Sequence, residues 1–203
     1  MGGGAGRGVD TGVYFELEMF SLWERNSCAQ ATSLYRGYHM KLTLDHNCLI
    51  ALEKNESEAP YIKKLIVMHD DKKIIIRVVG IGASERLPGG SYATNFDEFK
   101  NRFAAIGLGN VEILAPIAYA GITFVERSLS ADEAMVELER RIQEVLFPRI
   151  DFTYETQNDD DEDMRRRKAK CDVLALWSHI TYDGDIFVTS DRNFLTKCKV
   201  TIN

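Results

Sequence analysis

The chain has 203 residues, enough for one domain with a sizeable hydrophobic core, or for one domain with an appendage. Its formal net charge of −6 argues against a general nucleic-acid coat protein, because the surfaces of such proteins are basic. A local basic strip is compatible with this total, since acids clustered at a metal centre weigh heavily in the sum. The four cysteines are far apart and form no C-x-x-C pair, which argues against zinc and favours buried, reduced thiols.

No apolar run approaches the ~20 residues needed to cross a bilayer, and the glycine-rich start lacks the apolar core of a signal peptide. We therefore expect a cytoplasmic protein with no membrane partner. Residues 1–39 are predicted to be an N-terminal extension, poorly ordered or peripheral, because the first eight have the composition of a flexible tail. An upstream start codon, or residues added before a native Met40, would explain the same composition. Residues 40–203 form the predicted domain.

A short β-rich run over residues 41–44 ends in Asp45, and apolar residues then recur at helical spacing over 48–52. The pattern predicts that Asp45 lies at the carboxyl end of a strand and caps the following helix. Taken alone, such an aspartate is explained by capping, which is worth ~1 kcal/mol.

The middle of the chain predicts helices over 58–70, 95–106 and 130–147, and strands over 73–79, 111–114 and 118–125. The helix over 130–147 starts with a capping-box pattern at Ser130 and Glu133. Gly80 and Gly82 suggest a dinucleotide-binding loop, but Glu85 occupies the position of the third glycine and would repel a pyrophosphate. We interpret these glycines as a strand exit that brings Glu85 to the same sheet edge as Asp45. The alternative is an exposed glutamate at a helix start.

An acidic block over residues 155–163 is followed by a basic block over 164–170. Adjacent blocks of opposite charge are typical of a solvated loop and helix start, with acids at the positive helix end. A second interpretation is that the basic side chains contact phosphate beside an acidic centre. The candidate phosphate contacts are Arg165, Arg166, Arg167, Lys168 and Lys170.

Asp172 stands at the head of an apolar-periodic stretch that predicts a helix, followed by a buried strand over 186–188. The strand ends in Thr189 and Asp191; a short helix from Asn193 and a closing strand over 199–202 are predicted next. Open α/β sheets gather ligands at the carboxyl ends of their strands. Two acids delivered to one such edge repel each other unless a cation lies between them. The C-terminal stretch therefore indicates a hard metal ion.

Taken together, these pieces resemble the PIN-domain nucleases over residues 40–203. The first motif consists of Asp45, which ends the first strand, and Asn47 two residues later. The second motif is Ser84-Glu85. The third is the aspartate that starts the late helix, and the last is the run from Thr189 through Asp191 to Asn193. The resemblance implies a three-layer α/β/α fold with a central, mostly parallel sheet.

The resemblance also implies which residues act. Asp45, Glu85, Asp172 and Asp191 would be the catalytic, metal-binding acids, and Asn47, Thr189 and Asn193 would support them. We expect Asp45 and Asp172 to bind the ion directly and Asp191 directly or through water. Glu85 would bind through water or orient the attacking water. Mg²⁺ or Mn²⁺ suits such oxygen ligands and promotes phosphodiester hydrolysis.

The expected activity is that of an endoribonuclease on single-stranded or loop RNA, whose backbone an acid pocket reaches more easily than that of a duplex. Small PIN proteins include toxins of toxin–antitoxin pairs, so an antitoxin partner and a homodimer are further expectations. A catalytically inactive PIN-like module that binds RNA or protein is the alternative. A flavodoxin-like or receiver-type regulator is a third class, although no well-placed lysine follows a late strand.

Two features depart from the family pattern. His46 stands where the family usually has a small hydroxyl residue. We therefore expect the histidine side chain to disturb the groups that surround the metal ion. The stretch over 118–167 is longer than in compact toxin-type members, and we interpret it as an elaboration that shapes substrate or partner binding.

Overall fold

The computed structural model describes residues 39–84, 95–152 and 161–197. These residues belong to a unit that spans His39–Asn203. The predictions for Glu85, for most of the acidic block and for the strand over 199–202 lie outside the described residues. So does the prediction for nearly all of the N-terminal extension.

The described part of the chain contains a four-stranded sheet in which every pair of neighbours is parallel. Its strands lie in the order β3-β2-β1-β4. They are β1 (Met40–Leu44), β2 (Ile74–Val79), β3 (Glu112–Leu114) and β4 (Ile186–Val188). The chain adds β2 and β3 on one side of β1 and then returns to add β4 on the other side. In open α/β sheets this reversal opens a crevice at the carboxyl ends of the two strands, here β1 and β4.

Six α-helices connect or follow these strands in the described residues. They are α1 (His46–Lys54), α2 (Ala59–Asp70), α3 (Phe96–Ala105), α4 (Glu133–Leu146), α5 (Asp161–Thr181) and α6 (Arg192–Lys197). The strands that became β1 to β4 are thereby confirmed, and so are the predicted helices, with ends shifted by a few residues except in the helix that contains Asp172, which begins at Asp161.

Helices cover both faces of the sheet. Successive side chains of a strand point to opposite faces, so each strand contributes to the packing on both sides. Leu42 and Leu44 of β1 belong to a core that also contains buried residues of α1, α2 and α3. Thr43, between them, faces the other way, and its Oγ1 lies 2.9 Å from Nδ1 of His179 on α5. The second core includes buried residues of α4 and α5. The fold is therefore α/β with a parallel sheet, as predicted, and is compatible with three layers.

The strand predicted over 118–125 is wrong. Ile117 forms an isolated bridge with Leu129, and the chain between them turns. Gly121 has φ of 72°, which breaks an extended run in a conformation that glycine adopts without a steric cost. A short 3-10 helix over Val125–Arg127 follows.

Two predicted helix starts are also wrong. The N-cap of α4 is Asp132, whose side chain accepts from the backbone N–H of Met135, so Ser130 is not the cap. Asp172 does not head its helix but lies in the interior of the 21-residue α5. The first turn of α5 contains Asp161 and its two acidic neighbours, where carboxylates interact favourably with the positive helix end. Among the helices of the described residues, none combines the length and the apolar character that a membrane span requires.

Candidate functional site

Asp45 ends β1 and starts α1 at the mouth of the crevice. Its backbone is extended, with φ of −71° and ψ of 160°, and its N–H donates to the carbonyl of Val188 at 3.0 Å. One carboxylate oxygen, Oδ1, accepts from the backbone N–H of His46 at 2.7 Å. Only 3% of the residue is exposed. The residue is thus the helix cap, as predicted, and holds its carboxylate at the carboxyl edge of the sheet.

Thr189 connects Asp45 to the end of β4. Its hydroxyl donates to Asp45 Oδ2 at 2.7 Å and accepts from the backbone N–H of Asp191 at 3.0 Å. Asn47 donates to the same Asp45 oxygen from its Nδ2 at 3.2 Å. Thr189 and Asn47 therefore orient the carboxylate of Asp45.

Asp191 lies just before α6, and one of its carboxylate oxygens is already used. Its Oδ1 accepts from the backbone N–H of Asn193 at 2.8 Å, so Asn193 supports the aspartate through its backbone. Its Oδ2 lies 3.9 Å from the ammonium nitrogen of Lys168 on α5. The carboxylate is thus oriented by one bond, and its other oxygen faces the ammonium of Lys168.

Asp172 is 7% exposed, and none of the described residues donates a hydrogen bond to its carboxylate. Burial, followed by the charges of Asp45 and Asp191, raises its pKa to about 8, while Lys168 opposes this. The pKa of Asp45 is raised as well, chiefly by burial and also by Asp191, against the bonds from Thr189 and His46. Three of the four predicted acids therefore lie close enough for their charges to interact.

These acids do not form a finished metal-binding group. Within residues 39–84, 95–152 and 161–197, no three histidine, cysteine, aspartate or glutamate side chains are placed to hold a metal ion as they stand. A cation shared by Asp45, Asp172 and Asp191 would therefore require a rearrangement of these side chains. The donor set itself, carboxylates with a neighbouring hydroxyl, fits a hard ion such as Mg²⁺ or Mn²⁺. Glu85 lies outside the described residues.

The predicted phosphate contacts separate into different environments. Arg165 and Arg166 lie 3.7 and 3.5 Å from Glu162, within their own helix. The guanidinium of Arg167 donates to the carbonyls of Ser84 and Gly121. It thereby anchors α5 beside a cavity of about 190 Å³, which no local sequence pattern predicts.

Lys170 is not a phosphate contact. It is 2% exposed and forms an ion pair with Glu139 of α4. Its ammonium also lies 4.1 Å from the centre of the Tyr119 ring. A buried ammonium satisfied in this way cannot meet a phosphate at the surface, so the prediction for Lys170 is corrected.

The imidazole of His46 packs in the core, whereas we expected it to disturb the surroundings of the metal. A Cβ on Gly82 would lie 2.7 Å from His46 Nδ1, and the ring stacks on Phe99 with centroids 6.4 Å apart. Burial lowers the pKa of His46 to about 4, and the charges acting on it are those of Arg102 and Glu53. The imidazole is therefore a neutral core group rather than a neighbour of the acids.

No protein-family model, curated protein or solved structure matches the chain.

Proposed function

We propose that this chain is a Mg²⁺- or Mn²⁺-dependent endoribonuclease with a PIN-like, three-layer fold. The observation that supports it is the convergence of Asp45, Asp172 and Asp191 at the crevice between β1 and β4. Burying mutually repelling carboxylates is unfavourable in an unliganded protein, and a divalent cation between them would relieve it.

The residues would act as follows. Asp45 and Asp172 hold the ion, and Asp191 holds it directly or through water. When bound, the ion lowers the pKa of a coordinated water and neutralises charge on the phosphate. Thr189 and Asn47 keep Asp45 oriented by their bonds to its Oδ2. Glu85 is proposed to act through a water molecule.

The proposed substrate is single-stranded or loop RNA. The exposed side chains of Arg165 and Lys168, 61% and 64% accessible, extend from the first half of α5 and are available to a phosphate backbone. Such contacts add affinity without reading sequence. Action as a toxin, an antitoxin partner and a homodimer remain proposals that follow from the resemblance.

Cleavage of end-labelled, single-stranded RNA tests the proposal. The wild-type protein should cut in Mg²⁺ or Mn²⁺ and be inactive in EDTA, and Asp172→Asn should lower the rate at least about 100-fold. Asp183→Asn is the matched control, because Asp183 is exposed and asparagine tolerates its φ of 51°. Circular dichroism checks that each variant is folded. Equal rates for Asp172→Asn and Asp183→Asn would contradict the proposal.

A PIN-like RNA- or protein-binding module without catalysis is the second candidate. The absence of a finished metal-binding group among the described residues favours it. RNA that is retained by the protein but stays intact in Mg²⁺ and Mn²⁺ would support this candidate over the nuclease.

A further inference from the structure

Lys168 lies at the acidic centre, unlike the other basic residues of its segment. It precedes Asp172 by four residues, about one helical turn, so the two side chains share a face of α5. Its ammonium nitrogen lies 3.9 Å from Asp191 Oδ2, which belongs to the segment after β4. One cation thus lies between a helix and the end of a strand, beside two of the acids.

The charge of Lys168 also acts on the other two acids. It lowers the pKa of both Asp45 and Asp172, against the effect of burial. Among the described residues it is the only cation with a resolved effect on either acid. Arg165 and Arg166 face Glu162 instead. The ammonium therefore already serves as a counter-ion of the three carboxylates.

The carboxylate of Asp191 cannot bind a second metal ion and also keep Lys168 beside it. Its Oδ1 accepts the N–H of Asn193, which leaves Oδ2 for a cation, and Lys168 is next to that oxygen. Both oxygens of Asp191 thus already have a partner, so a second metal ion there would have to displace Lys168.

We propose that Lys168 is the second cation of this site. The site takes a single divalent ion held by Asp45 and Asp172, which Asp191 reaches only through water, and the ammonium beside Asp191 contacts the scissile phosphate of RNA. This inference rests on the proposed function. Phosphate oxygens accept hydrogen bonds from lysine, whose flexible stem lets the ammonium follow the substrate. With 64% of its side chain exposed, Lys168 is open to a ligand from solvent.

Counting bound Mn²⁺ by electron paramagnetic resonance tests the inference. The wild-type protein should bind one ion, and Lys168→Met should bind two, because Asp191 Oδ2 loses its counter-ion. Lys168→Arg keeps the charge and should bind one. Arg165→Met is the matched control on the same helix and should also bind one. Two ions in the wild type, no ion in the wild type, or one ion in Lys168→Met would each overturn the inference.

Kinetics give a second readout. With saturating Mg²⁺, Lys168→Met should lower kcat about 100-fold while KM for RNA changes a few-fold at most, and Lys168→Arg should recover part of the loss. An unchanged kcat in Lys168→Met would overturn the phosphate contact. The two proposals fail separately: a single bound ion with uncut RNA refutes the nuclease, whereas cleavage with two bound ions refutes the role of Lys168.

Discussion

Thr189 donates its hydroxyl hydrogen to Asp45 Oδ2 at 2.7 Å, although 144 residues separate the two in sequence. The bond joins the ends of β4 and β1, which flank the crevice. The same hydroxyl accepts the backbone N–H of Asp191 at 3.0 Å. Thr189 therefore keeps two of the acids in a fixed relation to each other.

Thr189→Val should destabilise the protein. Valine keeps the shape but removes a donor to a buried carboxylate, which costs about 1.5–3 kcal/mol for a bond to a charged group. The pKa of Asp45 should rise further, since the Thr189 bond lowers it. Urea denaturation at pH 7 without metal measures the change. Thr189→Ser retains the hydroxyl and serves as the control; equal losses for valine and serine would show that the bond is unimportant.

The metal-free protein should lose stability as pH rises from 6.5 to 8. An unfolded aspartate is fully ionised in this range, whereas the folded pKa of Asp172 is raised to about 8. The folded state therefore holds a proton that the unfolded state has lost, and stability falls with rising pH. Over this interval the loss should be about 1–2 kcal/mol. Urea denaturation in EDTA at several pH values measures it.

At lower pH, two histidines make the pH dependence of stability harder to attribute to Asp172. The folded pKa values of His46 and His179 are lowered to about 4, chiefly by burial, so between pH 4 and 6.5 the unfolded state binds more protons at these residues. Their contribution increases stability as pH rises and opposes that of Asp172. Above about pH 7.5 these imidazoles are neutral in both states, so there only the acids contribute. Asp172→Asn should flatten the slope there, and Mg²⁺ should reverse the loss in the wild type. A flat wild-type profile in EDTA would contradict the burial of an ionisable Asp172.

Local signals in the sequence located Asp45 and Thr189. A strand that ends in an aspartate just before helical periodicity already contains the strand end and the cap in adjacent residues. The position of Asp172 in the interior of α5 was harder to predict from the sequence. Its preceding turns are charged on all sides and pair within the helix, as Arg166 does with Glu162 at 3.5 Å, so they lack the apolar period that predicts a helix.

The environment of Lys170 depends on a partner 31 residues away on α4. Within its own segment Lys170 looks like the exposed cations beside it, and only the packing of α4 on α5 separates them. The turn at Gly121 was missed for a related reason. Its β-branched and aromatic neighbours favour a strand, but a left-handed glycine ends it.

Lys170→Met should destabilise the protein by about 3–5 kcal/mol, because it leaves the Glu139 carboxylate buried without its partner. The double variant Lys170→Met/Glu139→Leu should recover most of the loss. Thermal and urea denaturation measure both. The rate of RNA cleavage by the double variant should match that of the wild type, in contrast to Lys168→Met. A double variant as unstable as the single one would show that the ion pair is not the cause.

Gly82→Ala should cost about 1–3 kcal/mol, since its Cβ would lie 2.7 Å from the buried Nδ1 of His46. His46→Ser should rescue part of this loss in the double variant by opening space at the same point. Gly109→Ala is the control, because its Cβ would meet Ala104 at an ordinary 3.4 Å. The coupling energy from a double-mutant cycle in urea decides the outcome. Additive losses would mean that the two positions do not share the contact.

Anomalous diffraction from crystals soaked in Mn²⁺ tests the central claim most directly, because it locates the ion without depending on activity. The account predicts one peak in contact with carboxylate oxygens of Asp45 and Asp172, with the Lys168 ammonium still beside Asp191. Ordered crystals with no peak at these carboxylates under saturating Mn²⁺ would contradict it.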